Sequence, residues 1–129
     1  MIVQEIMSCP AITFMMKDTV EDVLKIMNEH HINGAPIINE ENELVGMVVK
    51  ADIYRFLIDP GHYGSCPIEW VMSKSVITAT KNEHILPIAR RLRENNIVAM
   101  PVIENHKVIG IISFEDIMDY FIKKQPLQK

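Results

Sequence analysis

The chain repeats itself. A shift of 65 residues sets Met7-Ser8 on Met72-Ser73, Ile12-Thr13 on Ile77-Thr78, Glu29 on Glu94, Ile32 on Ile97, Pro36 on Pro101 and Ile38 on Ile103. The apolar pattern follows, with Val20, Val23 and Met27 falling on Ile85, Ile88 and Leu92. Further on the shift drops to 64, pairing Gly46 with Gly110, Asp52 with Asp116 and Ile53 with Ile117. The lost residue lies between the polar turn Glu40-Glu41-Asn42-Glu43 and its shorter counterpart Asn105-His106-Lys107, and turns absorb such changes at little cost. Two like units are therefore expected over residues 7–58 and 72–123, joined by residues 59–71, which open on the breakers Asp59-Pro60-Gly61. Each unit is too short to bury a core by itself, so the pair is expected to form one cooperative module with pseudo-twofold symmetry. Such symmetry creates two equivalent clefts lined by both units, and ligand sites favour junctions of this kind.

Within each unit the periodicity predicts the order β-α-β-β-α, an α+β fold. In the first, a short extended piece at residues 11–14 precedes Thr19, a helix cap with Asp22 three residues on. Val20, Val23, Leu24 and Met27 then recur at helical spacing and form one apolar stripe. Residues 35–39 and 44–49 are short Ile- and Val-rich runs around a turn, a buried hairpin, and residues 52–58 close the unit as a helix. The second unit repeats this with a strand at 76–78, a helix over 85–95, strands at 99–103 and 108–112, and a helix over 114–123. His84 is its expected cap, which places Pro87 in the first turn, where a missing N–H costs little.

Charge narrows the function. Thirteen Lys and Arg against seventeen Asp and Glu leave a net charge of −4, with no basic surplus for a nucleic-acid backbone. No run approaches the roughly 18 apolar residues of a membrane helix, and the start Met1-Ile2-Val3-Gln4-Glu5 lacks a basic leader, so a cytoplasmic protein without a membrane partner is expected. Cys9 and Cys66 form no C-x-x-C and are expected reduced, as small apolar residues. His30-His31 lies near a helix end, and His62, His84 and His106 have no zinc-ligand spacing, so no metal site is expected. G-x-S-x-G, H-E-x-x-H and P-loop strings are absent, and no enzyme is expected. Met15, Met16 and Met47 are expected to fill core gaps, and Arg90, Arg91 and Arg93 to form a solvated face. Phe56, Leu57, Ile58, Met118, Tyr120, Phe121 and Ile122 make the closing helices more apolar than one buried stripe requires, which points to a partner surface.

The most informative string is Gly110-Ile111-Ile112-Ser113-Phe114-Glu115-Asp116-Ile117, a strand that runs through Ser113 into a helix. A helix N-terminus offers unpaired N–H groups to a phosphate, Ser113 adds a hydroxyl, and Asp116 could accept from two ribose hydroxyls. The same Ser113 and Asp116 also suit a capping box that stabilises the helix with no ligand present. The counterpart is Gly46-Met47-Val48-Val49-Lys50-Ala51-Asp52-Ile53, with Val49 in place of Ser113.

The tandem β-α-β-β-α order, the prolines Pro36 and Pro101, and the G-h-h-[ST]-x-x-D-h string resemble the CBS domain family, in the paired arrangement called a Bateman module. The resemblance covers residues 7–123 and departs at Val49, where the family's nucleotide sites carry Ser or Thr. It implies a stand-alone, non-enzymatic regulatory module that binds an adenosyl ligand such as AMP, ADP, ATP or S-adenosylmethionine between its repeats, with no required cofactor. Carried over by position, one site joins Ser113 and Asp116 to Ile12, Asn33 and Gly34. The other joins Asp52 to Ile77, Thr78, Val98 and Ala99, with Lys50 supplying phosphate charge in place of the missing hydroxyl. The resemblance further implies a homodimer formed through the helices and an unidentified protein partner that reads the bound state. A structural dimerisation module with empty clefts is the alternative.

Overall fold

A computed structural model describes residues 1–124. The first repeat contains strand β1 (Phe14–Met15), helix α2 (Val20–Glu29), strands β2 (Gly34–Ile38) and β3 (Leu44–Val49), and helix α3 (Lys50–Ile58). It is preceded by a one-turn helix, α1 (Val3–Ile6). A 3₁₀ turn over Ile68–Trp70 leads to the second repeat, with α4 (Ile85–Glu94), β4 (Ala99–Glu104), β5 (Lys107–Ser113) and α5 (Phe114–Lys124). The expected α+β architecture is present twice. No helix among the described residues is long and apolar enough to cross a membrane.

In the first repeat β1 pairs parallel with β2, and β2 pairs antiparallel with β3. In the second, β4 and β5 form an antiparallel pair. The strand expected at 76–78 does not form. Pairing begins only at Ala79, which bridges Val102, and goes no further, as the Thr80 N–H donates to the Glu83 carboxylate at 2.8 Å. The piece expected at 11–14 likewise pairs only from Phe14.

Helix starts follow the residues. The Thr19 side chain accepts the Asp22 N–H at 3.2 Å, whereas His84 stands at the N-cap of α4 without a side-chain hydrogen bond. Pro87 sits in that first turn, where no intrahelical bond is lost. Helices α2 and α4 end alike: His31 and Asn96 adopt left-handed φ of 55° and 52°. The Ile32 N–H then reaches the Met27 carbonyl and the Ile97 N–H the Leu92 carbonyl, each at 3.0 Å, a Schellman closure that satisfies late carbonyls.

Each repeat has its own apolar core, and each core takes a residue from the segment that precedes the other repeat's sequence. Val23, Met27, Ile37 and Ile53 enclose Cys66 and Ile68, while Ile88, Leu92, Met100 and Ile112 enclose Val3 from the chain's start. Val3 and Ile68, both fully buried, are related by the same 65-residue shift. The crossings are fixed by backbone pairing: Ser8 exchanges hydrogen bonds with Ile111 at 2.9 and 3.0 Å, and Ser73 with Met47 at 2.8 and 2.9 Å. Structure in residues 3–6 was not anticipated, since a four-residue helix carries no periodicity.

Candidate functional site

The Schellman turns lead directly into Asn33-Gly34 and Val98-Ala99, which border the clefts between the repeats. There the Asn33 carbonyl accepts the Lys50 N–H at 2.8 Å, and the Val98 carbonyl accepts the Phe114 N–H at 3.0 Å. Each closing helix thus begins against the turn of its own repeat, and the segment before β1 or before Ala79 completes a cleft on either side.

The first cleft, of about 320 Å³, is lined by Ile12, Asn33 and Gly34 from repeat one and by Ser113 and Asp116 from repeat two. All five residues expected together are together. Ser8, His30, His31, Glu115, Val98 and Ala99 also line it. Asp116 Oδ2 accepts both the Ser113 N–H and the Ser113 hydroxyl at 2.9 Å, and Ser113 Oγ accepts the Asp116 N–H at 3.1 Å. The capping-box arrangement is therefore formed. It holds the carboxylate at the cleft wall and leaves Oδ1 facing Ser8, whose hydroxyl stands 3.5 Å away.

The second cleft, of about 560 Å³, is lined by Lys50, Asp52, Ile77, Val98 and Ala99, with Val49, Arg55, Ser73 and Asn96. Thr78, expected here, is elsewhere: it borders a separate hollow with Leu44 and Ile103, and its carbonyl accepts from Arg91 at 3.0 Å. Ile77 faces the second cleft, and the next residue along the extended chain falls on the opposite side. Asn33, Val98 and Ala99, each assigned to one site by position, line both clefts. At the start of α3 no side chain caps the helix, because Val49 has no acceptor, and Asp52 instead pairs with Arg55.

Ser8 and Ser73 were missed as cleft residues although the repeat had paired them. Their signal was the recurrence of Met-Ser itself, which marks the crossing segment. Arg91 departs from the solvated face expected of the basic cluster: its guanidinium lies 2.7 Å from the Glu83 carboxylate, holds that carboxyl below the ordinary range, and has its own pKa raised in return. Among the described residues no group of His, Cys, Asp and Glu is placed to hold a metal ion.

A family model for the CBS domain matches residues 3–59 and again residues 68–123. Among curated proteins, L-aspartate semialdehyde sulfurtransferase of Methanocaldococcus jannaschii is 33% identical over 121 residues, which are 93% of this chain and 23% of that protein. The chain spans less than half the length of the curated relatives it matches. Among solved structures, the CBS domain pair of protein MJ0100, in complex with 5′-methylthioadenosine and S-adenosyl-L-methionine, is 32% identical. The likeness covers 97% of this chain and 98% of that one, with a TM-score of 0.88. A protein with CBS domains from Burkholderia ambifaria shares the fold at a TM-score of 0.90 and 21% identity, over 99% of this chain and 98% of its own.

Proposed function

Since this chain belongs to the CBS domain family, as a tandem pair, we propose that it is a regulatory module that binds an adenosyl ligand in the clefts between its repeats. The observation that carries this reading is the first cleft, where Ser113 and Asp116 of one repeat face Ile12, Asn33 and Gly34 of the other. A carboxylate fixed at a cleft wall suits the paired hydroxyls of a ribose, and apolar side chains with backbone groups suit an adenine. The solved pair at 32% identity holds two adenosyl compounds, which supports the ligand class and leaves AMP, ADP, ATP and S-adenosylmethionine to be distinguished by experiment.

Binding between two repeats couples to shape only through different affinity for two arrangements. The ligand here would hold the repeats at one spacing, and a partner protein would read that spacing. The role is regulatory rather than catalytic, and the setting we propose is the cytoplasm, where the free thiols of Cys9 and Cys66 stay reduced. The module acts as a homodimer, through the apolar side chains that α5 exposes.

A thermal-shift titration against AMP, ADP, ATP and S-adenosylmethionine tests the reading. A ligand at about 100 times its Kd stabilises a fold by about 2.7 kcal/mol, a rise of several degrees in Tm. A rise with one of these compounds that is lost in Asp116→Ala, each protein being compared with its own ligand-free midpoint, supports the proposal. No rise with any of them turns the reading to a dimerisation module with empty clefts.

A further inference from the structure

The two clefts are equivalent in backbone and opposite in charge. The 64-residue shift sets Lys50, Ala51, Asp52 and Arg55 of α3 on Phe114, Glu115, Asp116 and Asp119 of α5. Among the described residues no Lys or Arg lines the first cleft, where Glu115 and Asp116 stand with the imidazoles of His30 and His31. The second has Lys50 and Arg55 against the single carboxylate of Asp52. Lys50 is half-buried and makes no ion pair among the described residues, because Asp52 is drawn to the exposed Arg55.

The helix ends reinforce the difference. At α5 the positive end already holds a negative charge, since the Asp116 carboxylate takes the Ser113 N–H. At α3 the Lys50 N–H is taken by the Asn33 carbonyl, but no side chain caps the helix, so the following first-turn N–H groups remain for an anion. We propose that the clefts sort ligands by charge: the cleft at α3 takes an adenosyl ligand that carries phosphate, and the cleft at α5 takes an uncharged or sulfonium-bearing one. This rests on the adenosyl reading above and assigns the chemical class at each site. A phosphate at α5 would meet two carboxylates and, for side-chain cations, only the imidazoles of His30 and His31, whereas at α3 it meets an unmatched ammonium and a helix end without a side-chain cap.

Adenosine and AMP differ by one phosphate and so isolate the effect. Amide chemical-shift titrations of the whole chain read the clefts separately, through Ala51 at α3 and Glu115 at α5. At Ala51, AMP is expected to bind about tenfold tighter than adenosine, the equivalent of one charge-assisted hydrogen bond, with the advantage shrinking as salt rises. Lys50→Met is expected to abolish that preference and Lys50→Arg to keep it. At Glu115, adenosine is expected to bind at least as tightly as AMP. Glu115→Lys, at an exposed side chain, is expected to improve AMP there by about tenfold. Equal affinities for AMP and adenosine at both amides, or an AMP preference at Glu115 in the unmodified chain, overturn the charge sorting and leave the adenosyl reading standing. Failure of both compounds to move either amide overturns the adenosyl reading and this inference with it.

Discussion

Gly46 and Gly110 explain at the scale of single atoms why the crossing segments lie where they do. A Cβ at Gly110 would stand 2.9 Å from both the Met7 sulfur and the Ser8 carbonyl oxygen. One at Gly46 would stand 2.6 Å from the Met72 sulfur and 3.0 Å from the Ser73 carbonyl oxygen. The recurring Met-Ser and the recurring glycine in the sequence are thus two sides of one contact, made once in each direction. A methionine side chain can move aside, but the backbone oxygens are held by their strand pairing. Gly110→Ala is therefore expected to destabilise the fold by about 1–3 kcal/mol, the usual range for forcing extra carbon into a packed site, as read by urea unfolding. The ion pair of Glu83 and Arg91 gives a second prediction. Arg91 lowers the Glu83 pKa in the folded protein below its ordinary value of 4.5, so the stabilisation is fully present above that value. It is lost as pH falls through the lowered one. The Tm difference between the natural protein and Glu83→Gln is expected to be constant near neutral pH and to close as the solution is made more acid than about pH 4.

Among the elements, those with a full period were legible and those set by a single crossing were not. The stripe of Val20, Val23 and Met27 and the Thr19 cap define α2 without any tertiary information, and the Ile- and Val-rich runs define both hairpins. The clefts were legible in two ways: the strand running into a helix marked Ser113 and Asp116 directly, whereas Ile12, Asn33 and Gly34 came only by position from the family resemblance. Thr78 failed because it follows Ile77 in an extended stretch and so falls on the opposite side, whereas the turn after Ala79 has its own signal in the Thr80-Lys81-Asn82-Glu83 spacing. The one-turn α1 failed because tertiary contacts hold it: Val3 packs in the second core, and the Val3 and Gln4 N–H groups donate to the Glu83 and Lys81 carbonyls. That dependence is measurable. Val3→Ala removes two methyl groups from a fully buried position and is expected to cost about 2 kcal/mol, although the residue lies outside any predicted element. Ile68→Ala, its counterpart under Cys66 in the other core, is expected to cost about 2–5 kcal/mol. Because each segment belongs by sequence to one side and by packing to the other, both variants are expected to keep a single unfolding transition when followed by circular dichroism and by Trp70 fluorescence. Two separated transitions would show that the cores melt independently.

For the whole molecule, the distribution of apolar surface decides how the module acts. Part of the surplus in the closing helices is consumed inside: Phe56 and Leu57 pack on the first core, and Phe56 stacks on the His62 ring at 4.0 Å between centroids. The rest is not consumed. Met118, Phe121 and Ile122 of α5 are 57%, 48% and 64% exposed, and their spacing puts them on one helical face. In the homodimer proposed above, a second copy would bring the same stripe to meet it, as a self-complementary interface requires. A signal from the clefts would then have a lever, since α5 begins at the Ser113 and Asp116 wall and carries this stripe further along the same rigid helix. Light scattering on a sizing column is expected to give about twice the 14.8 kDa of one chain at micromolar concentration. Phe121→Glu, on an exposed position, is expected to return the mass to one chain and to remove the dependence of Tm on protein concentration that dimer formation brings. A dimer that survives Phe121→Glu and Ile122→Glu together would place the interface on another face, and α5 would then report to a different partner.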